Sequence, residues 1–263
     1  MAAGIVDRAL DVIELLVDHP SGIPLSDVAR TLDMPKSATH RVLSLLVRRG
    51  YVEQPDGLDR YRLNLKLSSL GARYIARTNV LEICQPILDR LAAETGEFVR
   101  MALWDGSTLT WVAKAQGART GLRYDPDMGN PVILHATASG RAWLGTLDEE
   151  SALAIVREKG FGVPSYFCEQ RVNNETDLLR ELRLTKKRGY ALAVEEGEPG
   201  AAAVAEAIPR GEARHSPGTI SVAGPVVRMS GDRQREIVRL LVAAQEELGN
   251  LWPIIRMRLG WGE

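Results

Sequence analysis

The sequence predicts an α+β protein in two parts: a small winged helix-turn-helix unit, then a helix leading into a larger domain of mixed strands and helices. Three observations carry that prediction. Residues 25–62 read as a short helix, a tight turn, a longer helix and a hairpin. Residues 65–78 are helical in pattern, with no Pro/Gly-rich linker after them. From Val80 onward, runs of period two are interspersed with runs of helical period.

Val6, Leu10, Ile13, Leu16 and Val17 recur at helical spacing, and Pro20-Ser21-Gly22 stops that first helix. Ser26 is placed to cap a second helix bearing Val28, Ala29 and Leu32. The Asp33-Met34-Pro35 turn follows, with a proline suited to the opening of the next helix. In that third helix Ala38, Val42, Leu43, Leu45 and Leu46 fall on one half, and Lys36, Ser37, His40, Arg41, Ser44 and Arg48 on the other. The second half holds cations and small hydrogen-bonding groups but no carboxylate. A face made only for water usually mixes both signs; this one suits phosphates and base edges.

Gly50 then ends the helix. Residues 51–53 and 60–63 are short alternating runs around the turn-forming Pro55-Asp56-Gly57. Arg60 and Arg62, on one face of the returning strand, are positioned for a phosphate backbone or minor groove. Two helices and a hairpin can also be a mere folding or dimerisation module. Agreement between turn, helix polarity and wing favours double-stranded DNA as the partner.

Composition is that of an ordinary soluble protein, with 25% charged and 45% apolar residues in 263. The net charge of -1 gives no global attraction to nucleic acid, and residues 1–79 hold only 11 basic against 9 acidic side chains. The basic signal is therefore local to the third helix and wing, and affinity must come from concentrated contacts doubled in a dimer. Cys84 and Cys168 are far apart, and His19, His40, His135 and His215 are scattered, so no metal site and no cofactor are expected. No stretch has the roughly 18 apolar residues of a membrane span. Asp7, Asp11 and Glu14 interrupt the N-terminal pattern in a way a secretion signal does not tolerate. A reduced, cytoplasmic protein is the reading.

In the second part, helices are predicted over residues 81–94, 139–146, 149–159, 175–188 and 234–252. Strands are predicted over 98–104, 108–113, 201–208 and 218–227. His135-Ala136-Thr137-Ala138-Ser139-Gly140 leads into a helix with small side chains in its first turn, where exposed amides favour an anion. Thr137 serving simply as a cap explains the same residues, and these two readings stay open.

Several runs together resemble one family. Val6-Asp7-Arg8-Ala9-Leu10, Leu25-Ser26-Asp27-Val28-Ala29, the run from Pro35 through Leu43, Gly50-Tyr51-Val52, the run from His135 to Leu144, and Ile220 to Pro225 are similar to the IclR family of bacterial transcriptional regulators. The resemblance spans almost the whole chain. It implies a winged helix-turn-helix domain at 1–64, a linker helix at 65–79 and a GAF-like effector-binding domain with a six-stranded sheet at 80–263. It also implies a dimer or tetramer on a palindromic operator, acting as repressor or activator, and it adds Thr39 to the DNA-facing candidates.

The resemblance further implies a small organic-acid effector with its carboxylate on the amides of Ala138 and Ser139. On the opposite wall, where relatives that bind very small polar acids carry acid, thiol and hydroxyl groups, the matching positions are Ala193, Ala203, Ser221 and Ala223. An alanine wall leaves ligand hydroxyls unpaired, at about 1–3 kcal/mol each. It has room for an apolar or aromatic body. Trp143 is a further candidate surface, with core packing as the alternative, and Arg119 and Arg123 read as solvated loop residues. A competing enzyme reading rests on the Ser139/His135 pair and on Glu195, Glu196 and Glu198. No acid partner or oxyanion site can be placed beside the pair, and the acidic cluster reads as a solvated loop flanking the pocket.

Overall fold

The computed structural model describes residues 4–55, 57–126, 128, 132–165, 167–168, 171–209, 211 and 215–260. The chain divides into two compact units, residues 1–77 and 78–263.

In the first unit, α1 (Ile5–Val17), α2 (Leu25–Thr31) and α3 (Lys36–Arg48) precede a two-stranded wing, β1 (Val52–Glu53) and β2 (Arg62–Leu63). Val12, Leu16, Val28, Val42, Leu43, Leu46, Val52 and Tyr61 form its core. Helix α2 starts at Leu25 with Pro24 at the N-cap, so Ser26 lies inside the first turn and makes no cap. Asp33 adopts the left-handed conformation (φ 48°) and the Met34 amide donates to Ala29 O at 2.9 Å, closing the turn into α3. A short polar side chain tolerates that conformation. At the other end Gly50 is left-handed (φ 74°), and the Tyr51 amide reaches back to Leu46 O at 3.0 Å. The wing strands are shorter than the alternating runs suggested, but an isolated bridge from Ile23 to Tyr61 extends the pairing. Asp56 of the hairpin turn lies outside the described residues. Helix α4 (Lys66–Thr78) follows, with Leu67, Tyr74 and Ile75 exposed and Leu70 half-buried.

The second unit is built on an antiparallel sheet of order β4-β3-β7-β6-β5, from β3 (Phe98–Trp104), β4 (Leu109–Gln116), β5 (Ala191–Val194), β6 (Ala201–Ala207) and β7 (Gly218–Pro225). Five strands, not six, make this sheet among the described residues. Past β4 the chain turns through Gly117, Gly121 and Pro126, residues that do not sustain a ladder. Strand β5 was not foreseen from the pattern, since Ala-Leu-Ala-Val carries too little contrast.

Helices α5 (Val80–Thr95) and α9 (Gly231–Leu259) pack together on one face of the sheet through Val99, Met101, Val204, Ile220, Val222, Leu88, Leu241 and Trp252. Helix α9 continues past Pro253, beyond its expected end, because Trp252 and Ile255 stay buried in this core. The opposite face carries α6 (Ala138–Leu144), and α7 (Glu149–Lys159) and α8 (Glu175–Arg188) complete a second core with Trp143, Leu144 and Leu178. Strand β7 is buried along its whole length, as a central strand covered on both faces must be. Alternation sends Ile220 and Val222 to the α5/α9 side and leaves Ser221 and Ala223 for the α6 side.

Candidate functional site

Two surfaces carry chemistry, one in each unit. In the first, α3 turns Thr39, Val42, Leu43 and Leu46 inward and leaves Lys36, Ser37, His40, Arg41, Ser44 and Arg48 exposed. Thr39 is corrected: it is fully buried, and its hydroxyl donates to Pro35 O at 3.1 Å, so it faces the domain core instead of DNA. The wing arginines already have contacts. Arg60 Nη1 donates to Gly22 O at 3.2 Å, and Arg62 Nε pairs with Glu53 at 2.7 Å. The exposed Arg62–Glu53 pair is worth about 0.2–1 kcal/mol, so a phosphate can displace it.

In the second unit a cleft of about 480 Å³, counted to its open mouth, lies between α6 and the sheet. Ala138, Ser139, Ala193, Ala203, Ser221 and Ala223 all line it. Cross-strand pairing explains the wall: Ala193 faces Ala203 and Ala203 faces Ala223, giving a row of methyl groups across β5, β6 and β7. Alanines also let α6 sit close to the sheet, where Ala138 and Ala142 pack on Ala191, Ala193 and Ala205. The first turn of α6 passes so near the preceding segment that a Cβ at Gly140 would lie 2.3 Å from Leu134 O.

Thr137 caps α6, its Oγ1 accepting from the Gly140 amide at 3.0 Å while donating to Ile133 O at 2.9 Å. Cap and cleft coexist, since Thr137, Ala138 and Ser139 are all lining residues. The amides of Ala138 and Ser139, in the first turn, have no intrahelical acceptor.

Trp143 is corrected. It is fully buried, stacks on Trp104 (centroids 4.0 Å apart) and donates its indole N–H to Ser216 O at 2.9 Å, all away from the cleft. The acidic cluster is also not a uniform solvated loop. Glu195 is exposed, whereas Glu196 is buried and held by both guanidinium nitrogens of Arg141. Arg141 further donates to His135 O and Leu192 O. This ion pair ties the turn after β5 to α6 beside the cleft. Its polar partners are separated by 55 positions, a distance that no local pattern reveals.

His135 does not join Ser139. It lines a different cavity with Leu109, Val132, Val156 and Gly160, and desolvation, then the Arg141 charge, holds its pKa below the usual histidine value. Arg119 is exposed and Arg123 pairs with Asp125 at 3.3 Å. Arg100, Trp111 and Tyr124 of the cleft lining were missed by sequence reasoning, whereas Glu196 and Glu198, expected to flank the pocket, are part of its lining. Arg100 and Trp111 stand on strands whose other residues are apolar enough to read as core.

No cluster of metal-ligating side chains occurs among the described residues. No helix there is long and apolar enough to cross a membrane.

The IclR helix-turn-helix domain model matches residues 5–56, and the model for the C-terminal part of bacterial IclR transcriptional regulators matches residues 72–250. The transcriptional repressor IclR of Escherichia coli is 29% identical over 92% of this chain and 87% of its own length. A crystal structure of an IclR transcriptional regulator from Silicibacter sp. TM1040 superposes with a TM-score of 0.78 at 26% identity, covering 94% of this chain and 95% of that one. An IclR homologue from Microbacterium hydrocarbonoxydans, solved with 4-hydroxybenzoate, shares the fold at a TM-score of 0.70 and 19% identity, over 98% and 100% of the two chains. With a helix-turn-helix at one end and an IclR effector domain at the other, this chain belongs to the IclR family of DNA-binding transcriptional regulators and is not an enzyme.

Proposed function

We propose that the chain is a ligand-responsive regulator that binds a palindromic operator as a dimer, or as two dimers, and senses a small organic acid with an apolar or aromatic body. In this reading residues 1–64 read DNA, 65–79 couple the two parts, and 80–263 bind the effector. The observation that carries it is the cleft's composition. It joins the α6 first turn, which suits a carboxylate, to a wall of alanines with Ser221 as its one hydroxyl. That wall suits a ring and leaves a small polyhydroxylated acid unsatisfied.

A palindrome requires two winged units at fixed spacing. Exposed apolar residues on α1 (Ile5, Val6, Leu10, Val17) and α4 (Leu67, Tyr74) supply the self-association surface. Leu16 of the same helix is in the core of its own unit and is not part of that surface.

The test is a thermal-shift screen of carboxylic acids against the purified protein, beginning with 4-hydroxybenzoate, followed by operator binding with and without each hit. Aromatic acids are expected to raise the melting temperature and change operator affinity. A clean preference for two- or three-carbon hydroxy acids overturns the reading, as does a protein that stays monomeric at micromolar concentration with operator present.

A further inference from the structure

The cleft holds a cation that has no ion-pair partner among the described residues. Arg100 lies on β3, directly across from Ser221 of β7, and lines the same cleft. Its guanidinium leans the other way, onto the Trp111 ring of β4, with its carbon 3.9 Å from the ring centroid. Nε is buried and has no hydrogen-bond partner. Among the described residues no carboxylate lies within 4.0 Å of this side chain, whereas the buried Arg141 is paired with Glu196. Burial lowers the Arg100 pKa from its ordinary value, while the nearby Tyr124 and Glu198 act to raise it. It remains a cation at any working pH.

A half-buried guanidinium held over an indole is restricted in direction, and its fork of N–H groups matches a planar anion. Helix α6, by contrast, packs chiefly over β6, with β5 and β7 to either side. With β7 between them, β3 and β6 are two strand spacings apart, roughly 10 Å. One carboxylate does not bridge that width with hydrogen bonds of about 2.7–3.0 Å at each side. A ligand with polar groups at both ends does, with its body against Ala203 and Ala223.

We infer that Arg100, stacked on Trp111, is a second anchor in the cleft and selects ligands that carry an anionic or strongly accepting group opposite the carboxylate held at α6. The inference rests on the effector reading above and sharpens it from an aromatic acid to a two-ended one.

The test measures binding of benzoate and benzene-1,4-dicarboxylate by calorimetry to the full chain and to Arg100→Gln and Arg100→Lys. The wild-type chain is expected to bind the dicarboxylate at least 10-fold more tightly than benzoate. Arg100→Gln removes that preference, bringing the dicarboxylate down to the affinity of benzoate for the same variant; Arg100→Lys keeps part of it. Unchanged melting temperature and operator binding in the ligand-free variants establish that they are folded. Equal affinity for the two acids in the wild type, or an undiminished preference in Arg100→Gln, overturns the role of Arg100 and leaves the effector reading standing. If neither acid binds the wild type, the aromatic-acid reading itself falls and takes this inference with it.

Discussion

Arg141 and Glu196 form a buried two-pronged ion pair, with Nη1 2.9 Å from Oε1 and only 1% and 2% of the two side chains exposed. Desolvating both charges costs several kcal/mol, and mutual attraction offsets this only when the remaining N–H groups are also satisfied. Here His135 O takes the Nε hydrogen and Leu192 O takes one from Nη1. The pair is better understood as positioning than as net stabilisation: it locks α6 to the turn that walls the cleft.

Arg141→Met is therefore expected to destabilise by about 3–5 kcal/mol, because it removes the guanidinium that balances the buried Glu196 charge. Adding Glu196→Gln to it should recover part of the loss, since a neutral amide is cheaper to bury. Urea unfolding of the two single variants and the double variant checks this. Strictly additive losses would show the two side chains to be uncoupled.

On α3, exchanging His40 and Arg41 together for alanine should abolish discrimination between operator and unrelated DNA, at about 1–3 kcal/mol per base-reading side chain. Lys36→Ala should instead weaken all sequences alike and reduce the slope of log affinity against log salt. Thr39→Ser, which keeps the hydroxyl bonded to Pro35 O, should leave operator specificity unchanged. Titrations of operator and scrambled duplex at several salt concentrations separate these outcomes.

The first unit is legible in sequence because its signals are local. A turn with Asp33 and Pro35, a helix with opposite halves and a glycine stop all act within a few residues, and Thr39 fails only because its position sits at the border of the two halves. The cleft is legible in part. Its alanines and Ser221 stand at positions that the family resemblance aligns, but Arg100, Trp111 and Glu196 come from strands and turns that only the sheet order brings together. Trp143 shows the opposite error. A tryptophan one turn into a pocket helix points into the cleft or into the core depending on a rotation that composition does not reveal, and here Trp104 and Ser216 O claim it. Proline likewise misleads at α9, where burial of Trp252 and Ile255 outweighs the one hydrogen bond that Pro253 removes.

Enlarging the methyl wall is the direct test of where a ligand sits. Ala203→Leu, at a half-buried lining position, adds three carbons to the cleft and should cost the free protein about 1–3 kcal/mol or less. Binding of any acid found in the thermal-shift screen should fall by more than 10-fold, while ligand-free operator affinity is retained. Loss of operator binding by a folded Ala203→Leu variant would contradict a division of labour between sensing and reading.

Glu206 provides a pH signature outside the cleft lining. It lies on β6, paired in register with Ile220, and burial, reinforced by the Glu246 charge, pushes its pKa from 4.5 up to about 7. A carboxyl whose folded pKa is raised binds its proton more tightly in the native state than in the unfolded chain. Between pH 4.5 and about 7 the unfolded state has already lost that proton, so stability falls as pH rises through this window and levels off above it. The group is partly solvated, so screening reduces the effect to about 1–2 kcal/mol. Glu206→Gln, neutral at every pH, should be more stable than the wild type at pH 8 by about that amount. It should match the wild type near pH 4.5, where the wild-type side chain is protonated in the folded state. Urea melts of both proteins at half-unit steps from pH 4.5 to 8 read the difference directly. Parallel curves would mean that Glu206 titrates as an ordinary surface carboxylate and that its burial is relieved in solution.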